Sequence, residues 1–232
     1  MNRFCLLAVG MLCALLIPPA SAATFTEMGD AGQTLATAQL VNTQPPGTIL
    51  TAIFGTMESS GADIFKIYLT GGQTFSATTT TLFNPGNPTV FDSQLFLFNS
   101  SGIGVYANDD DNTNGPPQST LPASLSFTPS SAGVYYLAIS GSGFLPLSAG
   151  GFIFPVSGGL LNQPASAPWV VGPTGPGGAS ALTGWSSTSS ETGAYEIDLT
   201  GAQFLSIPEP STALLLACGL LIGGVVRRRM VR

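Results

Sequence analysis

The stretch Asp63-Ile64-Phe65-Lys66-Ile67-Tyr68-Leu69 decides how this chain is read. Successive side chains of a strand point to opposite faces, so its alternation sends Phe65, Ile67 and Leu69 to one face and Lys66 and Tyr68 to the other. Lys66 belongs to the wet face. The same alternation returns at 193–199, where Tyr195, Ile197 and Leu199 oppose Glu196 and Asp198. Between these two stretches and upstream of them, short apolar runs are punctuated by Gly, Pro, Asn and Ser, which are strand and turn signals. The expected strands are 49–56, 62–69, 73–80, 90–98, 103–107, 124–127, 134–140 and 193–199. Asn99-Ser100-Ser101-Gly102 joins two of them as a hairpin turn. Asn99-Ser100-Ser101 also fits the N-glycosylation pattern, but it is read here as a turn. Residues 144–190, dominated by Gly and Pro, keep no period and read as a long insertion. Strands at this density with turns between them predict one antiparallel β-sandwich over 23–206.

Charge and cysteine divide the chain the same way. Between Ala23 and Ile207 eleven acids face a single basic residue, Lys66, giving that body ten net negative charges. Phosphate backbones would repel it, which excludes nucleic-acid binding. Cys5 and Cys13 lie in the first apolar segment and Cys218 in the last, so the body has no thiols and no disulfide, which suits an exported protein.

Both ends carry membrane-related patterns. Met1-Asn2-Arg3, an apolar run over 4–17, Pro18-Pro19 and then Ala20-Ser21-Ala22 have the layout of a secretory signal, 1–22, with cleavage expected after Ala22. At the other end, 207–232, Pro208-Glu209-Pro210 precedes an uncharged run over 211–226 and then Arg227-Arg228-Arg229. A helix over 211–226 would be about 24 Å long against a hydrocarbon core of about 30 Å. Snorkelling arginines and local thinning make up the difference. Those arginines would hold the C-terminus in the cytoplasm and leave the acidic body outside, while the prolines keep the preceding segment extended and accessible.

The chain contains no histidine, so catalysis through a His base and His/Cys zinc sites are closed to it. Carboxylate chemistry survives, and a glycosidase needs two carboxyls at a set separation, for which no motif stands out. Calcium suits the inventory better because it takes oxygen ligands. In Asp109-Asp110-Asp111-Asn112-Thr113-Asn114-Gly115, the residues Asp110, Asn112, Asn114 and Gly115 match the opening of an EF-hand loop. Leu121 stands where the closing Glu should be, and Pro116-Pro117 forbids the exiting helix, so an EF-hand is excluded. Two readings stay open: a strand-connecting calcium loop and a solvated acidic turn. Trp169 and Trp185 could stack on sugars, as in a carbohydrate-binding module, but covering a sheet face is the commoner role of large aromatics.

Five stretches, at 29–41, 61–80, 91–111, 132–141 and 192–201, resemble in order the bacterial pre-peptidase C-terminal domain: "GDAGQTLATAQLV", "GADIFKIYLTGGQTFSATTT", "FDSQLFLFNSSGIGVYANDDD", "AGVYYLAISG" and "TGAYEIDLTG". The resemblance implies a jelly-roll-like β-sandwich, an accessory module that binds substrate or matrix and in some relatives calcium. Calcium near the N-terminal acidic segment of such relatives points to Glu27 and Asp30; no other cofactor is implied. The C-terminus resembles a PEP-CTERM sorting signal, with Pro208, Glu209 and Pro210 as its recognition motif. That implies an exosortase-type enzyme, signal peptidase and the secretion machinery as partners in a Gram-negative bacterium. The body would first stand in the periplasm, anchored in the inner membrane, and then reach the cell surface or an exopolysaccharide matrix. The expectation is a non-enzymatic structural or adhesive protein of exopolysaccharide or biofilm context. A carbohydrate-binding module and a carboxylate-based glycoside hydrolase are the alternatives.

Overall fold

In the computed structural model, residues 21–58, 61–80, 91–110, 120–121, 127–164, 170–186 and 191–205 are described. The first strands are β1 (Ala22–Thr26), β2 (Gln39–Leu40), β3 (Ile49–Met57), β4 (Ala62–Leu69) and β5 (Ser76–Thr79). Then come β6 (Ser93–Asn99), β7 (Gly104–Asn108), β8 (Thr120–Leu121) and β9 (Gly133–Gly141). The Gly/Pro-rich insertion holds β10 (Pro146–Ser148), β11 (Gly151–Phe152), β12 (Val156–Ser157), β13 (Leu160–Leu161) and β14 (Leu182–Trp185), before β15 (Gly193–Gln203).

Alternation over 63–69 is realised. Phe65, Ile67 and Leu69 are buried in the main core, which also takes Phe25 from β1, Ile53 from β3, Leu95 and Leu97 from β6, and Tyr195 and Ile197 from β15. Strands β4, β9, β6 and β7 form a continuous antiparallel run, with β2 on the far side of β4. Facing them across the core are β1, β3, β15 and β5, with edge-to-face contacts Phe25–Phe65 and Phe65–Tyr195 between the layers. The arrangement is that of a β-sandwich closed along β15, whose last residues Ala202 and Gln203 pair with Leu69 and Tyr68.

Two parallel pairings correct the expectation of an antiparallel sheet. β1 runs parallel to β3, from Ala22↔Ile49 to Thr26↔Phe54, and β2 runs parallel to β4. Parallel neighbours need a crossover of a dozen residues or more, and the 27–48 connection is long enough to return the chain in the same direction. The sheet is therefore mixed.

The hairpin turn forms as expected. Asn99 Oδ1 accepts the amides of Ser101 and Ile103, and Gly102 adopts a φ of 79°, a left-handed conformation that β-carbon crowding makes costly for other residues. Asn99 is thus part of the turn's own hydrogen bonding.

The insertion is more than a loop. Leu145, Ile153, Phe154, Leu161, Val171 and Leu182 pack on Ile64, Phe96, Phe98, Ala107, Tyr136 and Ala138 as a second core. This covers most of the sheet face expected to be wet. Lys66 lies at its margin, its Nζ 5.6 Å from the Tyr136 ring centroid. Bridges Ile103↔Ala181, just before β7, and Ala107↔Val171, within it, fasten the insertion along that edge, so it is not left open for other chains. Trp185 stacks on Phe144 at 5.3 Å, meets Phe96 edge-on, and donates its indole N–H to the Gln33 carbonyl. It covers the sheet, as large aromatics usually do. Trp169 lies outside the described residues, as do the 4–17 run, Ala20, and everything from 206 onward, including the expected helix over 211–226.

Candidate functional site: two carboxylate clusters

The parallel pairing of β1 with β3 carries Glu27 past the end of β1, where its amide donates to the Phe54 carbonyl. Its carboxylate is then held from two sides. Oε1 accepts from the Ala31 amide at 2.9 Å and Oε2 from the Thr56 amide at 2.8 Å. Asp30 turns back on itself, with Oδ1 accepting from the Gly32 amide at 2.8 Å. The third carboxylate, Asp63, comes from the start of β4 and is only 3% exposed. Oxygens of Glu27, Asp30 and Asp63 lie within 4.8 Å of one another. Tyr195 of β15 donates its hydroxyl to Asp63 Oδ2 at 2.8 Å, with Glu27 Oε2 at 3.4 Å.

Gly55 makes room for this meeting: a β-carbon there would run into the Tyr195 hydroxyl and the Glu27 carboxylate. An open depression lined by Thr26, Glu27, Gly29, Phe54, Gly55, Thr56 and Glu58 gives the cluster access to solvent.

Electrostatics here are strained. Burial, followed by the charge of Glu27, pushes the Asp63 carboxyl up to about 7. Burial raises Glu27 as well, against the lowering effect of the Thr56 and Ala31 amides. The Tyr195 hydroxyl is raised well above its ordinary value by burial and then by Asp63, so it stays a donor. Lys66, the one basic residue between 23 and 207, lies over Tyr136. Burial thus favours the protonated forms of Asp63 and Glu27, and a cation seated among the oxygens would favour their ionised forms instead. The donor set fits calcium, since three carboxylates offer six hard oxygens and each oxygen has two lone pairs, of which the hydrogen bonds take only some.

A second cluster gathers Asp92, just before β6, with Asp109 and Asp110, just after β7; their oxygens also fall within 4.8 Å of one another. Antiparallel pairing of β6 with β7 brings these strand ends together, with Leu95 opposite Asn108. Gln163 of the insertion braces them: its Oε1 accepts from the Asp109 amide and Asn108 Nδ2, and its Nε2 donates to the Asp110 carbonyl. Burial, followed by Asp110 and Asp92 as like charges, pushes Asp109 up to about 7, and Gln94 opposes the shift. Asp92 is raised by burial and Asp110, and Asp110 by burial.

Of the residues expected from the sequence, Glu27 and Asp30 come together, and so do Asp109 and Asp110. Asp111, Asn112 and Asn114 lie outside the described residues, as do Ala20, Pro208, Glu209, Pro210, Arg227, Arg228 and Arg229. Ala22 is the first residue of β1, and the Ser21 carbonyl before it accepts from the Ile49 amide. Sequence reasoning missed Asp63, Tyr195, Asp92 and Gln163. Asp63 and Tyr195 did carry a signal: each stands on the apolar side of an alternating strand.

An all-β module with desolvated carboxylate clusters and a sheet partly covered by an insertion is the class this architecture defines. Residues 61–141, from the start of β4 to the end of β9, match the model of the bacterial pre-peptidase C-terminal domain. Asp63, Asp92, Asp109 and Asp110 lie within the match, whereas Glu27, Tyr195 and the insertion lie beyond it. No curated protein matches the chain.

Proposed function

We propose that this is an exported, non-enzymatic surface or matrix module, in which a divalent cation clasps the N-terminal segment to the sandwich. The observation that carries this reading is the convergence of Glu27 and Asp30 with the buried Asp63. Packed within 4.8 Å, the three carboxylates leave room for an ion between them. Calcium, when bound, supplies the positive charge the body lacks. Glu27 and Asp30 belong to the segment after β1, while Asp63 belongs to β4 in the opposite layer. Holding them together fixes β1 against the core, and the Tyr195 hydroxyl, donating to Oδ2, orients the Asp63 carboxylate.

The reading extends to the ends of the chain. A secretory signal would deliver the body across the inner membrane, and the uncharged run over 211–226 with Arg227 to Arg229 would hold it there. An exosortase-type enzyme would then act at Pro208-Glu209-Pro210 and release the body to an exopolysaccharide surface, where its role is structural or adhesive. The sparsity of basic residues elsewhere supports this, since the three arginines stand where a cytoplasmic anchor needs them.

Two measurements test the proposal. Intact-mass analysis of the exported protein, from cells that possess the sorting enzyme, should show a chain lacking its last two dozen or so residues. A Pro208→Ala/Glu209→Ala/Pro210→Ala variant should stay whole in the membrane fraction. An uncleaved wild-type tail in those cells would refute the sorting step. Separately, chelation with EGTA should lower the melting temperature of the wild-type chain and leave a Glu27→Gln/Asp30→Asn variant less affected. Equal responses in the two would refute the clasp.

A further inference from the structure

Gln94, in β6, is completely buried, yet among the described residues neither its Oε1 nor its Nε2 makes a hydrogen bond. A buried polar group left unpaired costs about 1–3 kcal/mol, and native interiors rarely carry one without a reason. Two more orphans lie beside it: Asp92 Oδ1 and Asp110 Oδ1 are buried and unpaired as well. Three of these four atoms at the cluster are acceptors.

Strand alternation explains why they meet. Asp92 and Gln94 share the parity of Phe96 and Phe98, which face the insertion, and Asp109 follows Ala107 onto that same face. The Gln94 amide lies close enough to the Asp109 carboxylate to ease its ionisation. One proton could satisfy a single carboxyl and would leave the amide oxygen and the other acids as they are. A cation satisfies all the acceptors together.

We propose that Asp92, Asp109, Asp110 and the amide oxygen of Gln94 form a second divalent-cation site, suited to calcium. All the donors are hard oxygens, and calcium accepts amide carbonyls beside carboxylates. The carboxylate oxygens lie within 4.8 Å of one another, a span one cation can bridge, and calcium tolerates an irregular set of oxygens where magnesium demands a near-ideal octahedron. The site is independent of the Glu27 cluster. Asp63 and Gln94 pair with adjacent residues of β9, Ile139 and Ser140, but Asp63 shares the face of Phe65 and Gln94 that of Phe96. The two sites thus occupy one end of the sheet on opposite faces. Because Gln163 grips the backbone of Asp109 and Asp110, an ion there also secures the insertion to the sandwich.

The test uses the full chain carrying Glu27→Gln/Asp30→Asn, so that the first cluster is disabled by design. After removal of divalent ions, calorimetric titration with CaCl2 should find one calcium per chain, with MgCl2 at least tenfold weaker. Adding Asp110→Asn or Gln94→Met should each weaken calcium binding at least tenfold. Gln94→Met should also melt no lower than its parent in EGTA, because it replaces an unpaired amide by an apolar chain of similar volume. Absence of calcium binding in the parent variant would overturn the proposal. So would binding that Gln94→Met leaves unchanged, or a Gln94→Met destabilisation of equal size with and without calcium. Should Asp110→Asn fail to fold, Gln94→Met decides alone.

Discussion

Asp63 stands at the start of β4 on the side that carries Phe65, Ile67 and Leu69, and its ionisation is coupled to folding. In the unfolded chain its carboxyl titrates near 3.8, and in the fold burial and Glu27 push it up to about 7. The folded state therefore binds the proton more tightly, so the resulting stabilisation is complete below about pH 4 and is lost as pH rises towards about 7. A change of that size is worth on the order of 4 kcal/mol. In EGTA, unfolding free energy should fall across that window, and Asp63→Asn should remove a large part of the fall, as measured by denaturant unfolding at several pH values. With calcium present the slope should weaken or reverse, because the ion binds the ionised carboxylates. A slope unaffected by Asp63→Asn would place the titration elsewhere. The parity of Asp63 was legible in the sequence, since an acid in step with three apolar residues is either neutral or partnered. Its partners were not, because Glu27 and Tyr195 are brought to it by other strands and no local spacing links them.

Elements decide which of these meetings occur. β1 reaches β3 in parallel, and where the chain leaves β1 it passes Gly55, whose missing side chain leaves room for the Tyr195 hydroxyl and Glu27. Gly55→Ala should destabilise the protein by about 1–3 kcal/mol, the usual cost of overpacking, and weaken calcium binding at the Glu27 cluster. Thermal melts with and without EGTA would show both effects, and an unchanged calcium response would mean the cluster relaxes freely. The insertion shows the other limit of sequence reading. Strands of two to four residues are too short to display a period, and Gly and Pro between them mask the apolar residues that make the second core. Only Trp185 hinted at it, through the tendency of large aromatics to cover a sheet. Trp185→Ala removes the stack on Phe144 and the edge contact with Phe96. It should cost about 3–5 kcal/mol and expose residues 144–190 to protease before the rest of the chain. Limited proteolysis followed by mass mapping would report the order of cleavage.

For the molecule as a whole, the long alternating strands were readable because one face of each is buried in a single core, which imprints a period of two. The 62–69 strand was placed to the residue, and the 193–199 strand was found though it runs on to Gln203. β1 escaped because only Phe25 of its five residues is buried, so it displays no alternation. That strand also joins export to folding. Cleavage after Ala22 would remove the Ala22↔Ile49 pair and the hydrogen bond from the Ile49 amide to Ser21, and nothing more of the sheet. The pairs from Ala23↔Leu50 to Thr26↔Phe54 would survive, Phe25 would still fill the core, and Glu27 would keep its place. A chain beginning at Ala23 should therefore unfold within about 1 kcal/mol of one that keeps Ser21 and Ala22, the net worth of one backbone hydrogen bond. A chain beginning at Ala31 lacks Phe25, Glu27 and Asp30, and should lose about 3–5 kcal/mol along with its calcium response at the Glu27 cluster. Denaturant unfolding of the two truncations, each with calcium and with EGTA, separates these effects. Equal stability of the Ala23 and Ala31 chains would show that β1 is no part of the folding unit, and the signal boundary would then carry no structural constraint.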